Sequence, residues 1–163
     1  MNYAKQNRIN IIPIMLTFCT PTIKDLPTLN HISLASKAHW GYPQQWLQHW
    51  KDDMLLREKH LTQYNILLAE LAGEVVGFCA ISEEITEYQV EHLWLLPKHI
   101  GKGYGKRLLE QALASFTTTD KPILVEADPH AEAFYQRQGF VTFSKIESYP
   151  PGRFLPVMKK TAY

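Results

Sequence analysis

Three glycines fall within five residues between an apolar run and a helix-like segment. Leu93-Trp94-Leu95-Leu96 leads through Pro97-Lys98-His99-Ile100 into Gly101-Lys102-Gly103-Tyr104-Gly105, and Lys106-Arg107-Leu108-Leu109 follows at once. This order predicts a strand, a glycine turn and an amphipathic helix with no spacer between them. Glycine lets backbone N–H groups approach a ligand with no side chain in the way. The first N–H groups of a helix have no intrahelical partner and lie at the positive end of its dipole. Such a turn suits a phosphate or pyrophosphate. Lys102, Lys106 and Arg107 add positive charge beside it.

Two common phosphate motifs do not fit. A dinucleotide fingerprint needs Gly-x-Gly-x-x-Gly. Counting from Gly101 or from Gly103, its third glycine falls on Lys106 or Leu108. A nucleoside-triphosphate loop needs a glycine at Ile100 and a hydroxyl at Arg107. A second block lies downstream. Asp128-Pro129-His130-Ala131-Glu132-Ala133-Phe134-Tyr135-Gln136-Arg137-Gln138-Gly139-Phe140 follows the apolar Ile123-Leu124-Val125. Asp128 suits a helix N-cap, Pro129 the first helical position, and Gly139 the stop.

The two blocks together resemble the GNAT superfamily of N-acetyltransferases. Its acetyl-CoA loop reads Arg/Gln-x-x-Gly-x-Gly/Ala after a strand, and Gly103 and Gly105 match it. Ile100 stands where the family often has Arg or Gln; a backbone cradle does not depend on that side chain. The second block is similar to the family's Asn-x-x-Ala-x-x-Phe-Tyr-x-x-x-Gly-Phe helix, with Asp128 in the asparagine position. The resemblance runs over about residues 15 to 160 and is most specific from Glu91 to Phe140.

Bulk composition narrows the alternatives. The 163 residues fit one domain with a sizeable core. A net charge of +1, from 17 basic and 16 acidic residues, leaves no basic stripe for nucleic acid. Cys19 and Cys79 form no Cys-x-x-Cys pair, and the histidines lack the spacing of a helical metal site, so no metal is expected. Unpaired thiols suit a reducing cytoplasm. Lys5 and Arg8 before Ile9 to Cys19 loosely imitate a secretory signal, but Asn10, Pro13 and Thr17 interrupt it and no small-residue cleavage site follows. No run approaches the about 18 apolar residues of a membrane span.

Periodicity gives the element order. Met15 to Cys19 reads as the first strand, with Met1 to Ile14 as an extension and a candidate extra edge strand. A helix from Leu26 carries a stripe of Ile23, Leu26, Leu29, Ile32 and Leu34 or Ala35; Gly41-Tyr42-Pro43 breaks it, and a second helix holds Trp46, Leu47, Trp50 and Met54. Asn65–Leu71 and Val75–Ser82 flank the hairpin turn Ala72-Gly73-Glu74. Then come a strand over Gln89–Leu96, a helix from Gly105 to Phe116, a strand over Ile123–Ala127, a helix over His130–Gln138, and strands over Phe140–Phe143 and Phe154–Lys159. This is a single α/β domain with a mixed, mostly antiparallel sheet and helices on both faces, the order that the GNAT resemblance also implies.

The resemblance implies transfer of an acetyl group from acetyl-CoA to a small-molecule or protein amine. The thioester carbonyl would meet backbone N–H groups on the strand ending at Leu95-Leu96, and the coenzyme would lie on Leu95, Leu96, Gly101, Lys102, Gly103, Tyr104, Gly105, Lys106 and Asp128. Glu91 is the candidate base, since a mid-strand carboxylate between Val90 and Leu93 asks for a reason. Alternation puts Gln89, Glu91, Leu93 and Leu95 on one face and His92, the alternative base, on the other. Tyr135 matches the family tyrosine that reaches the coenzyme sulfur. Trp40 and Tyr42 are candidates for the acceptor wall, and Arg153, on a Pro/Gly loop, for an acceptor carboxylate or phosphate. The segments Trp40-Gly41-Tyr42, Asp128-Pro129-x-Ala131 and Pro151-Gly152-Arg153-x-Leu155-Pro156 resemble a GNAT subset with no known general substrate. A non-catalytic acyl-CoA-binding module stays open, as does a monomer or a homodimer.

Overall fold

The structure is a computed structural model that describes residues 14–161. The expected extension therefore lies outside the described residues, apart from Ile14. Seven strands form one sheet in the order β1-β2-β3-β4-β5-β7-β6. They are β1 (Leu16–Cys19), β2 (Asn65–Leu71), β3 (Glu74–Glu83), β4 (Tyr88–Leu95), β5 (Ile123–Glu126), β6 (Val141–Ser148) and β7 (Arg153–Lys160). Every neighbouring pair is antiparallel except β4 and β5. That parallel pair needs a crossover, supplied by α4 (Tyr104–Phe116).

One face of the sheet carries α1 (Leu26–Ala38) and α2 (Gln44–Met54); the other carries α4 and the short α5 (Glu132–Arg137). Leu29 and Ile32 of α1 pack with Leu56, Ile66, Leu68, Phe78 and Ala80. Leu108, Leu109 and Ala112 of α4 pack with Cys79, Ile81, Val125, Tyr135 and Phe140. These cores make both helical layers obligatory, because each buries the apolar stripe of its helix.

Several expected boundaries move. Ala72 and Gly73 alone form the β2–β3 turn, both at positive φ, and Glu74 is already strand. A one-turn helix, α3 (His60–Gln63), adds to the expected element order. The helix expected over His130–Gln138 begins as a 3-10 turn, Pro129–Ala131, capped by the Asp128 carboxylate. β6 continues to Ser148, well past Phe143, because it pairs with β7 along its length. On α1, Ser33, Ser36 and Lys37 are buried instead of Leu34 and Ala35.

Two irregularities shape β4. First, β4 pairs with β5 only at Tyr88↔Ile123 and Gln89↔Leu124, and the two strands then part. Second, the β3–β4 register shifts between Ala80 and Ile81, which face His92 and Val90. Glu91 is thus the extra residue of a β-bulge.

Candidate active site

The parting of β4 and β5 opens a cleft of about 920 Å³. It is lined by β4 from Val90 to Leu95, by Val125 to Asp128, by the glycine turn and by Tyr135. The Leu96 N–H donates to the Val76 carbonyl at 2.8 Å. Successive strand residues present their backbone groups to opposite edges, so Trp94 and His92 also face β3. Leu93 and Leu95 then face the opening, where β5 has already turned away. This corrects one expectation: the Leu96 amide is committed to β3, and its side chain packs on the α1 side. The Leu93 amide faces the opening instead.

Leu95 is fixed by two glycines. A Cβ on Gly77 would lie 2.4 Å from Leu95 Cδ2 and 2.6 Å from the Trp94 oxygen. A Cβ on Gly105 would lie 3.4 Å from Leu95 Cδ1. Gly101 and Gly103 both have φ of +82°, and the space where their Cβ atoms would be is open. Gly103 is the N-cap of α4 with no side-chain hydrogen bond, which leaves the first-turn amides of α4 without a side-chain cap. Lys106 lines the cleft with Ile100 and Arg137; Lys102 is exposed beside it, and the Tyr104 ring turns toward His99 and the core.

The bulge also overturns the expected alternation. Tyr88 and Val90 share the α4 side with Leu93 and Leu95. Glu91 accepts from the Ser82 hydroxyl at 2.6 Å and acts electrostatically on Tyr64, while the His92 ring lies 6.2 Å from the Tyr64 ring. Glu91 and His92 are therefore near neighbours on one side, not on opposite faces. Partial burial pushes the Glu91 carboxyl above its ordinary value; the Ser82 hydrogen bond opposes this, and Glu126 and Glu84 reinforce it. Burial drives His92 down to about 4. Its Nδ1 accepts from Trp94 Nε1 at 3.0 Å, so the ring is neutral with Nδ1 occupied.

Tyr135 is buried on α5 and reaches the cleft wall between the Phe134 and Phe140 rings. Burial raises its phenol far above the ordinary value, so it keeps its proton at neutral pH.

At the other end of the cleft, Asp128 gathers residues from four parts of the chain. It pairs with Lys37 of α1. It also accepts from the Tyr42 hydroxyl at 2.8 Å, from the His130 N–H at 2.9 Å and from Arg153 Nη2 at 3.4 Å. Burial alone would raise this carboxyl, but Lys37 beside it wins and holds it below its usual range. Burial lowers the Lys37 ammonium despite Asp128, and pushes Tyr42 up to about 12. Arg153 is thus the half-buried first residue of β7, its side chain 11% exposed, and not a residue of the Pro/Gly loop. Trp40 stacks on His130 with ring centroids 4.9 Å apart.

The sequence reading missed Lys37, Ser82 and Arg137 as cleft or site-side groups. Lys37 had a signal: it lies four residues after Ser33 and eight after Leu29, on the buried stripe of α1. Ser82 had none, because its contact with Glu91 follows from the register shift.

Residues 29–161 match the family model described as an acetyltransferase (GNAT) domain. This chain belongs to the GNAT acetyltransferase family. Solved GNAT structures share its fold. A paia N-acetyltransferase from Thermoplasma acidophilum in complex with coenzyme A superposes with a TM-score of 0.74 at 20% identity, over 91% of this chain and 99% of that one. The ribosomal-protein-S18-alanine N-acetyltransferase from Escherichia coli gives 0.68 at 18% identity, over 91% and 94%. Arabidopsis thaliana Naa50, in complex with the bisubstrate analogue CoA-Ac-MVNAL, gives 0.66 at 18%, over 90% and 98%. Among the described residues no helix is long and apolar enough to cross a membrane.

Proposed function

We propose that this chain moves the acetyl group of acetyl-CoA onto the amine of a small-molecule or protein acceptor, by direct attack on the thioester, in the cytoplasm. What supports this is the position of the β4 amide edge. Leu93 and Leu95 turn unpaired backbone groups into a cleft that has a glycine cradle at one end and Glu91 and Tyr135 on its walls. The open space over Gly101 and Gly103 and the uncapped start of α4 fit the pyrophosphate of a coenzyme A. Lys106 and Arg137 supply charge on the same side.

The β4 amides would stabilise the oxygen that gains charge as nitrogen attacks the carbonyl carbon. A C–N bond forms, the C–S bond breaks, and the electron pair leaves on sulfur. Glu91 takes the proton released by nitrogen, directly or through water. Its raised carboxyl makes it a better base than an ordinary glutamate. His92 is the poorer base, since its accepting nitrogen is occupied by Trp94. Tyr135, still protonated, donates to the departing sulfur. Asp128 is assigned away from the coenzyme, because both its oxygens are taken by the chain's own donors. It organises the acceptor wall with Tyr42 and Arg153, beside Trp40.

Titration calorimetry with acetyl-CoA tests the cradle. Gly103→Val forces a β-branched residue into a left-handed conformation and crowds the ligand. It should weaken binding at least tenfold in a folded protein; unchanged affinity would refute the site.

A further inference from the structure

The acceptor end of the cleft carries more hydrogen-bond donors and more positive charge than the chain itself uses. Among the described residues Lys37 and Arg153 share a single anionic partner, Asp128, and Arg153 also donates to the Tyr42 hydroxyl at 3.2 Å and the Ser148 hydroxyl at 3.4 Å, which still leaves N–H groups of both cations over. Both oxygens of Asp128 are already engaged. The two cations lie over the same pair of rings: Lys37 Nζ is 4.5 Å from the Trp50 ring and 4.9 Å from Tyr42, and Arg153 Cζ is 4.6 Å and 5.2 Å from them. Each ring face attracts a cation, but none supplies a lone pair directed at an N–H. Trp50 is only 8% exposed, and its Nε1 donor is buried with no acceptor among the described residues. A buried unpaired N–H is disfavoured enough to ask for a partner. Lys37, Trp50 and Arg153 all line the cleft.

The opposite sign lies close by. Glu126 and Glu91 line the same cleft and repel one another. Glu126 stands two residues before Asp128 at the end of β5. In extended chain that separation is about 7 Å.

We propose, resting on the acetyltransferase reading, that the acceptor is an amine that also bears a carboxylate. Its ammonium end enters near Glu91 and Glu126. Its carboxylate accepts from Lys37, Arg153 and Trp50 Nε1. A carboxylate is an acceptor-only group, which is what a surplus of donors lacks. Taking the about 7 Å between Glu126 and Asp128 as that span, the acceptor would be a short ω-amino acid of about three to six carbons.

The test compares ω-amino acids of this length with their carboxamides, which keep the amine and the size but lose the charge. Two readouts are taken on the full chain: thiol release from acetyl-CoA, and calorimetric binding of each acceptor in the presence of coenzyme A. The acids should exceed the amides at least tenfold in kcat/KM, or in Kd if no acceptor turns over. Arg153→Gln should reduce that preference at least fivefold. Trp50→Phe, which keeps an aromatic ring and deletes the N–H, should raise KM for the acids and not for the amides. Equal use or equal binding of acids and amides by the unaltered chain overturns the carboxylate seat and leaves acetyl transfer standing. Binding of neither also overturns it. Preferential binding of acids without thiol release supports the seat and counts against the acetyltransferase reading.

Discussion

Lys37 and Asp128 form an ion pair across 91 residues of sequence, tying α1 to the strand-to-helix corner before α5. Both side chains are nearly shut off from solvent, at 10% and 12% exposure. Removing one partner from such a pair leaves the other charged and alone. Asp128→Ala should therefore cost about 3–5 kcal/mol in denaturant unfolding. The pH dependence has a definite sign. The Asp128 carboxyl is held below its unfolded value of about 3.9, so its contribution is complete above that pH. It is lost as pH falls through the lower folded value, and Asp128→Asn should lack that acid-side loss.

Gly77→Ala should disturb both stability and catalysis. The added methyl would meet Leu95 Cδ2 and, less forgivingly, the Trp94 backbone oxygen. Overpacking of this kind costs about 1–3 kcal/mol. Because β4 must shift to relieve it, the amide edge shifts too. A lower melting temperature together with a lower kcat is expected, whereas an unchanged kcat would separate that edge from the chemistry.

Tyr135→Phe should lower kcat by about 10²- to 10⁴-fold with little change in acetyl-CoA affinity. The ring stays packed between Phe134 and Phe140, so the melting temperature should hold. Single-turnover kinetics would show the loss in the chemical step.

Glu91→Gln should flatten the rising limb of the pH–rate profile with a high-pKa amine. The limb reflects deprotonation of Glu91, and burial places it above the ordinary glutamate value of about 4.3. Ser82→Ala removes a hydrogen bond that favours the carboxylate form, so the limb should move further toward alkaline pH. A weakly basic amine should be much less sensitive to either change.

Much of this fold was legible because its signals are local. The glycines at 101, 103 and 105, Asp128 followed by Pro129, and Gly139 each name a turn or cap from backbone chemistry alone. The bulge at Glu91 was not legible. It arises from pairing with β3, and a one-residue shift reverses every side-chain direction beyond it. Strict alternation therefore separated Glu91 from His92, and the folded strand brings them together. The tie of Arg153 to Asp128 was not legible, because its partner lies 25 positions away. Lys37 escaped attention because a lysine seldom occupies a buried helical stripe without an anion to meet it.

Amine-dependent thiol release from acetyl-CoA, with mass analysis of the acceptor, tests the central claim most directly. Thiol should appear in proportion to added amine, the acceptor should gain one acetyl group on nitrogen, and Tyr135→Phe should slow both together. Tight acetyl-CoA binding without amine-dependent thiol release, across neutral, cationic and carboxylate-bearing amines, would contradict it and leave an acyl-CoA-binding module.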